Sequence, residues 1–226
     1  MSGDAAAALA RLDEITRRLR VECPWDREQD ERSIVPHTVE EAYELADAAA
    51  QGDDEKLEDE LGDVLFQVYF LALLLEERGA GSLASVAEGM SGKLIRRHPH
   101  VYDESEARHL LGSDPETSRD VLANWDQIKR EVEGRGKDDP FADVPENLPG
   151  LLYARKILRR AGEEGGTKPE SDAARDRAET WVGDLLLELV RISRKLGVDP
   201  ELSVRSAANR LRDDTRAEPG QAPPAS

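Results

Sequence analysis

The sequence predicts an all-α protein, and three observations carry that prediction. Ala, Leu, Glu and Arg are abundant while aromatic residues make up 4% of the chain, a composition that favours helices and lacks the bulky residues strands prefer. Long runs of alternating β-branched residues are missing, so no segment carries the two-residue period of a half-buried strand. Apolar side chains recur instead at three-to-four spacing, as at Leu9, Leu12, Ile15 and Leu19, and line one helix face. A length of 226 residues suits one large domain or two small ones. Composition divides the chain into a first helical domain over 1–134, a linker rich in Gly, Pro and Asp over 135–149, a second helical domain over 150–214, and a tail over 215–226 that is Pro and Ala rich from Glu218 and reads as disordered.

The first helix is expected over 4–21, with Arg17, Arg18 and Arg20 in its last turns, where cations suit the helix dipole. Cys23-Pro24-Trp25-Asp26 then opens a loop running to Pro36. Trp25 beside a proline reads first as a packing plug; because this loop leads into the next helix, its ring can also offer a face to a planar base. From Pro36 to Arg78 the chain reads as two helices folded back around Gln51 to Asp54. Thr38 is the expected N-cap, with Glu41 third after it in a capping box. The second helix is apolar almost all round from Val64 to Leu75, so it is expected to be buried. Ser82 can cap a helix through Arg97, and another covers 118–133 with Val121, Leu122, Trp125, Ile128 and Val132 on one stripe and Lys129 one turn after Trp125. Helices at 151–162, 172–196 and 200–214 complete the chain, the last entered through Asp199-Pro200.

The acids of the central hairpin have an unusual order. Glu40, Glu41 and Glu44 form EExxE on its first helix, and Glu60 and Asp63 form ExxD on its second. Residues three and four apart share a helix face, so Glu41 projects with Glu44 and Glu60 with Asp63. Glu44 and Glu60 are equally far from Gly52 along the chain, and so are Glu41 and Asp63. An antiparallel hairpin closing at Gly52 therefore sets each acid level with its counterpart. In a chain that is 35% charged, EExxE alone is most simply a solvated face; the matching ExxD at the mouth of an apolar helix points instead to a cage. Like charges that close raise one another's pKa, a cost that a cation removes. Hard oxygen ligands select Mg²⁺, with Mn²⁺ also suited, and Mg²⁺ commonly takes further ligands from substrate phosphates.

A net charge of −17 opposes non-specific binding to nucleic acid or an anionic membrane, so neither is an expected partner. A phosphate ligand must be met by metal and by a local basic cluster. The most concentrated one near the proposed cage is Lys93-Leu94-Ile95-Arg96-Arg97-His98-Pro99-His100, where Arg can clamp phosphate and Lys acts as a point charge. The same cations can equally complement a helix dipole. Cys23 is the only cysteine, which excludes an intrachain disulfide and fits a reducing compartment. The N-terminus has no signal-peptide pattern and the run from Val64 to Leu75 is too short to span a bilayer; a soluble cytoplasmic protein is expected. The second half carries a faded repeat: Gly183-Asp184-Leu185-Leu186-Leu187-Glu188 echoes Gly62-Asp63-Val64-Leu65-Phe66-Gln67, with Trp181 standing where Glu60 stood and no EExxE before it.

CPWD, EExxE, ExxD followed by Val-Leu-Phe-Gln, KLIRRHPHV and Trp125-Asp-Gln-Ile-Lys129 occur in one order. Together, over about residues 8 to 132, they resemble the MazG family of nucleoside triphosphate pyrophosphohydrolases. The resemblance implies a MazG-like helical bundle whose N-terminal domain is catalytic and whose C-terminal half is a degenerate helical repeat. It also implies a homodimer that converts nucleoside triphosphates to monophosphate and pyrophosphate with Mg²⁺, in nucleotide-pool house-cleaning. Carried over, Glu41, Glu44, Glu60 and Asp63 look like metal ligands, Glu40 holds a further metal or water, and Lys93, Arg96 and Arg97 look like phosphate contacts; Trp25 and Lys129 complete the candidate substrate site. The Thr usual after the Gln of CPWDxxQ is Asp30 here. The second half lacks the acidic signature, so one catalytic centre per chain is expected. The rival reading is a non-catalytic helical scaffold that binds nucleotide or metal. A di-iron carboxylate bundle fits less well, because such sites use Glu-x-x-His and His37-x-x-Glu40 runs the other way.

Overall fold

The bend expected near Gly52 is built by a left-handed glycine (φ 68°) that accepts the chain from one helix, followed by Asp53, whose side chain accepts a hydrogen bond from the Lys56 amide at 3.0 Å. A positive φ costs a glycine little, and a capped aspartate starts the next helix at once. The computed structural model describes residues 3–102, 115, 117–134, 139–163, 165–166 and 169–217. Among them all regular structure is helical, and the chain divides into two units, Met1–Glu104 and Ser105–Ser226.

The first unit contains α1 (Gly3–Glu22), α2 (Pro24–Glu28), α3 (Glu31–Gln51), α4 (Asp54–Glu77), α5 (Leu83–Arg97) and α6 (Pro99–Tyr102). The α3–α4 hairpin is its central pairing. Fully buried Ile34 and Phe70 pack with Leu74, Phe66 and Leu71, and Tyr69, Ala72 and Leu73 are buried as well, as the apolar run predicts. Arg20 fastens this core from outside. Its guanidinium donates to both carboxylate oxygens of Glu77 (2.8 and 2.9 Å) and to the Asp26 and Gln29 carbonyls, and it lies over the Phe70 ring. Arg17 holds Glu76 in the same two-pronged way. The basic end of α1 is thus used for ion pairs with α4.

Three expectations are corrected here. The stretch from Cys23 to Pro36 is mostly helical, and α3 begins nearly two turns before Thr38. Asp30 is the N-cap: its carboxylate accepts from the Arg32 and Ser33 amides at 2.9 Å, and the Ser33 hydroxyl accepts from the Asp30 amide. Pro36 inside the helix forfeits one backbone hydrogen bond. The capping box, the burial of Ile34 and the Glu31–Arg78 ion pair at 2.8 Å offset that loss. Thr38 is therefore interior, and its hydroxyl bonds the Ile34 carbonyl and the side chain of Gln67 on α4 at 3.3 Å. Trp25 is no packing plug: it stays 50% exposed, with its ring edge-on to His37 of α3.

The second unit contains α7 (Ser118–Glu131), α8 (Gly150–Arg160), α9 (Asp172–Leu196) and α10 (Pro200–Ala217), close to the expected spans. Tyr153 and Ile157 of α8 pack with Ala208 of α10 and with Phe141. Residues 139–149, read from composition as linker, thus supply a buried aromatic. Tyr153 donates to Asn209 at 2.7 Å, and Arg205 donates to the carbonyls of Glu146 and Leu148. The helix α10 runs on to Ala217 because Arg216 pairs with Asp139 and stacks over Phe141; residues 218–226 of the expected tail lie outside the described residues. No helix among the described residues is long and apolar enough to cross a membrane.

Candidate functional site

The middle of α3 and the N-terminal half of α4 place their acids on facing surfaces. Glu41, Glu60 and Asp63 each offer a carboxylate oxygen to one group in which all three atoms lie within 4.8 Å of one another. That is the pairing the hairpin register predicts for Glu41 and Asp63. Glu60 is 8% exposed, Glu41 half-buried and Asp63 exposed. One oxygen of Glu60, Oε2, is buried without any hydrogen-bond partner, an arrangement that leaves a charged acceptor uncompensated.

Electrostatics follow from that geometry. Loss of water raises the Glu41 carboxyl above its ordinary value, with Asp63, Glu44, Glu60 and Glu40 adding to the shift. Burial likewise raises Glu60, helped by Glu44, Asp63 and Asp59 and opposed by Lys56. Glu44 lies outside the three-atom group yet close enough to act on both. Glu40 is exposed at the edge, with His37 Nδ1 3.7 Å away.

Two supporting residues lie outside the expected site set. Lys56 stands one turn before Glu60, and its ammonium donates to Asp47 at 3.0 Å, tying α4 to α3 on the bend side of the acids. Gln67, buried one turn beyond Asp63, receives the Thr38 hydroxyl and ties the helices on the other side. Gln67 closes the Val-Leu-Phe-Gln segment that follows ExxD, whereas Lys56 has no sequence signal beyond its spacing.

The remaining candidates lie farther along the chain. Lys93, Arg96 and Arg97 occupy the last turns of α5, where His98 caps the helix through a 2.7 Å contact between Nδ1 and the Leu94 carbonyl. Trp25 opens α2 and reaches the acid-bearing helix through His37. Lys129 sits on α7 in the second unit, next to buried Ile128.

Residues 29–102, which hold the acids and the α5 cations, match the family model of the MazG nucleotide pyrophosphohydrolase domain. A nucleoside triphosphate pyrophosphohydrolase of Escherichia coli is 37% identical over 222 residues, covering 87% of this chain and 81% of the relative. The chain belongs to the MazG family. Similarity continues through the second half: the nucleoside triphosphate pyrophosphohydrolase/pyrophosphatase MazG of Thermotoga maritima is 32% identical, covering 84% of this chain and 76% of its own length. An uncharacterised 26.1 kDa protein of Streptomyces cacaoi is 37% identical over 95% of this chain and 84% of its own. Within this MazG chain Asp30 is the N-cap of α3, a role a Thr also fills, though less strongly, so the departure from CPWDxxQT keeps the cap.

Proposed function

We propose that this chain hydrolyses nucleoside triphosphates to nucleoside monophosphate and pyrophosphate, with Mg²⁺ held by Glu41, Glu60 and Asp63 and completed by Glu44. The supporting observation is the buried, unpartnered Oε2 of Glu60 inside a group of carboxylates. An oxygen withdrawn from water among like charges is the place where a hard cation is most stabilising. Mn²⁺ suits the same oxygens. A bound cation would supply Lewis-acid stabilisation of the charge developing at the scissile phosphoanhydride. Glu40, exposed at the rim, holds a water by accepting its proton in a hydrogen bond. Lys93, Arg96 and Arg97 take the charge of the departing pyrophosphate, and Trp25 stacks on the base.

The chain acts as a homodimer in this reading. Val35, Val39 and Tyr43 form an exposed apolar stripe at four-residue spacing on α3, and Leu61 and Val68 are exposed on α4; a second copy would remove such side chains from water.

Glu41→Gln and Glu60→Gln should each lower pyrophosphate release by more than about 100-fold, beyond the usual loss from disturbing a residue that only supports a ligand, with unchanged far-UV circular dichroism. Lys93→Ala should raise KM more than it lowers kcat. Retained turnover in Glu60→Gln overturns the reading. Magnesium uptake by calorimetry with nucleotide present tests the metal separately, and its absence removes the cation from the site.

A further inference from the structure

In the second unit, residues 141–146 together with α8 and α10 form the walls of a cavity of about 390 Å³. Small-molecule sites commonly measure about 300–1,000 Å³. Apolar Phe141, Val144 and Ile157 line it, with Tyr153, Arg212 and Arg216. The walls are fixed: Arg160 donates to both carboxylate oxygens of Asp143 at 2.8 and 2.6 Å, and Arg205 holds the Glu146 and Leu148 carbonyls. Arg212 and Arg216 stand one turn apart on α10 and so share a face. Arg216 lies over the Phe141 ring and pairs with Asp139. Arg212 is oriented from two sides. Its Nη1 donates to the Tyr153 hydroxyl at 3.0 Å, which itself donates to Asn209, and its Nε donates to Asp213 at 3.0 Å. Its Nη2 has no hydrogen-bond partner among the described residues, although the side chain is only 20% exposed.

We propose that this cavity binds a small organic oxyanion, a carboxylate or a phosphate monoester, with its charged head on Arg212 and its apolar body against Phe141, Val144 and Ile157. A guanidinium with spare N–H groups, held in one orientation, suits either head. Water can satisfy the guanidinium but not the apolar walls, from which an apolar body gains. Asp213 is the rival for Arg212. Its side chain is 61% exposed, so the pair is screened by solvent and an incoming anion displaces it at little cost. Exposed Glu146 lines the cavity as well, and its charge repels the anionic head from that wall, leaving the arginines as its seat. None of these residues belongs to the acid-bearing unit, so the site stands whether or not the hydrolytic reading does. The second unit thereby has a ligand of its own.

The test titrates the full chain, free of divalent ions, with hexanoate and with hexyl phosphate, followed by NMR. Hexanol serves as the probe without charge and inorganic phosphate as the probe without a body. At least one hexyl anion should bind saturably, with both control probes at least about tenfold weaker; the preferred head tells a carboxylate ligand from a phosphate ester. Arg212→Gln and Val144→Trp, which fills the cavity, should each weaken binding by about tenfold or more. Asp213→Ala removes the rival carboxylate and should tighten binding about threefold. Binding that is equal in the parent and in Val144→Trp places the anion elsewhere, such as at the α5 cations, and overturns the proposal. So does hexanol binding as well as the anions, or no saturable binding of either anion. Asp213→Ala keeps the outcome decisive if Arg212→Gln fails to fold: unchanged or weaker binding there overturns the seating of the head on Arg212.

Discussion

Glu60 concentrates the conflict between stability and chemistry. Its carboxyl and that of Glu41 are pushed above the ordinary glutamate value by burial and by neighbouring acids. A carboxyl whose folded-state pKa is raised binds its proton more tightly folded than unfolded, so acidification favours the fold until the unfolded value is passed. The metal-free chain should therefore gain stability as pH falls from about 7 toward about 5. It should lose stability at lower pH, where carboxylates held down by ion pairs, such as Glu76 beside Arg17 and Glu77 beside Arg20, take up protons. Thermal melts across that range in chelator check both limbs. Glu60→Gln removes one of the repelling charges and should flatten the neutral-to-acid rise, lifting the metal-free Tm near neutral pH by roughly 2–4 °C. An unchanged profile would mean that Glu60 is not desolvated in solution. The acids themselves are legible in the sequence because their spacing mirrors about Gly52. Lys56 is not, since a lysine four residues from a glutamate is commonplace and its bond to Asp47 depends on two helices meeting.

At the scale of elements, the hairpin is read well from its bend and poorly at its entrance. Pro36 and the Cys23-Pro24-Trp25 stretch carry loop composition, and local propensity hides the capping box at Asp30 and the buried anchor at Ile34. Tertiary contact decides the matter: Ile34 fits among Phe70, Leu74, Phe66 and Leu71, and its burial outweighs one missing backbone bond. Ile34→Ala should destabilise the chain by about 2–5 kcal/mol, and Asp30→Ala by about 1 kcal/mol, both read from denaturant midpoints. The Thr38–Gln67 bond belongs to this scale too. It links the helices one turn inward from Glu41 and Asp63, so Gln67→Leu should keep the helical content while lowering turnover by about 10- to 100-fold through misplaced ligands. Full activity in Gln67→Leu would show that apolar packing alone sets the spacing of the acids.

The molecule consists of two helical units, and among the described residues the group of close carboxylates lies in the first. Each has its own apolar cluster, around Phe70 in the first and around Tyr153 and Ile157 in the second. Helix positions in the second unit are evident from periodicity and from the Asp199-Pro200 start. The packing of residues 139–149 is not, because a single Phe141 among Pro, Gly and Asp gives no repeating signal until Tyr153 and Ala208 are brought beside it. Because the acids lie in the first unit alone, divalent ions should stabilise the chain by mass action through that unit, by about 2.7 kcal/mol at a hundredfold excess over Kd. Calorimetric scans with and without Mg²⁺ measure it, and Glu41→Gln should abolish the difference while leaving the melting of the Tyr153 cluster where it was.

The bend at Gly52 also governs timing. Its two helices are neighbours in the chain, so closing them requires little loop entropy, and contacts of such short range form early in folding. The acids must then approach one another before most of the protein has collapsed, and their mutual repulsion falls on the way to the transition state. A divalent ion that relieves it should steepen refolding in stopped-flow traces and leave the unfolding limb nearly unchanged.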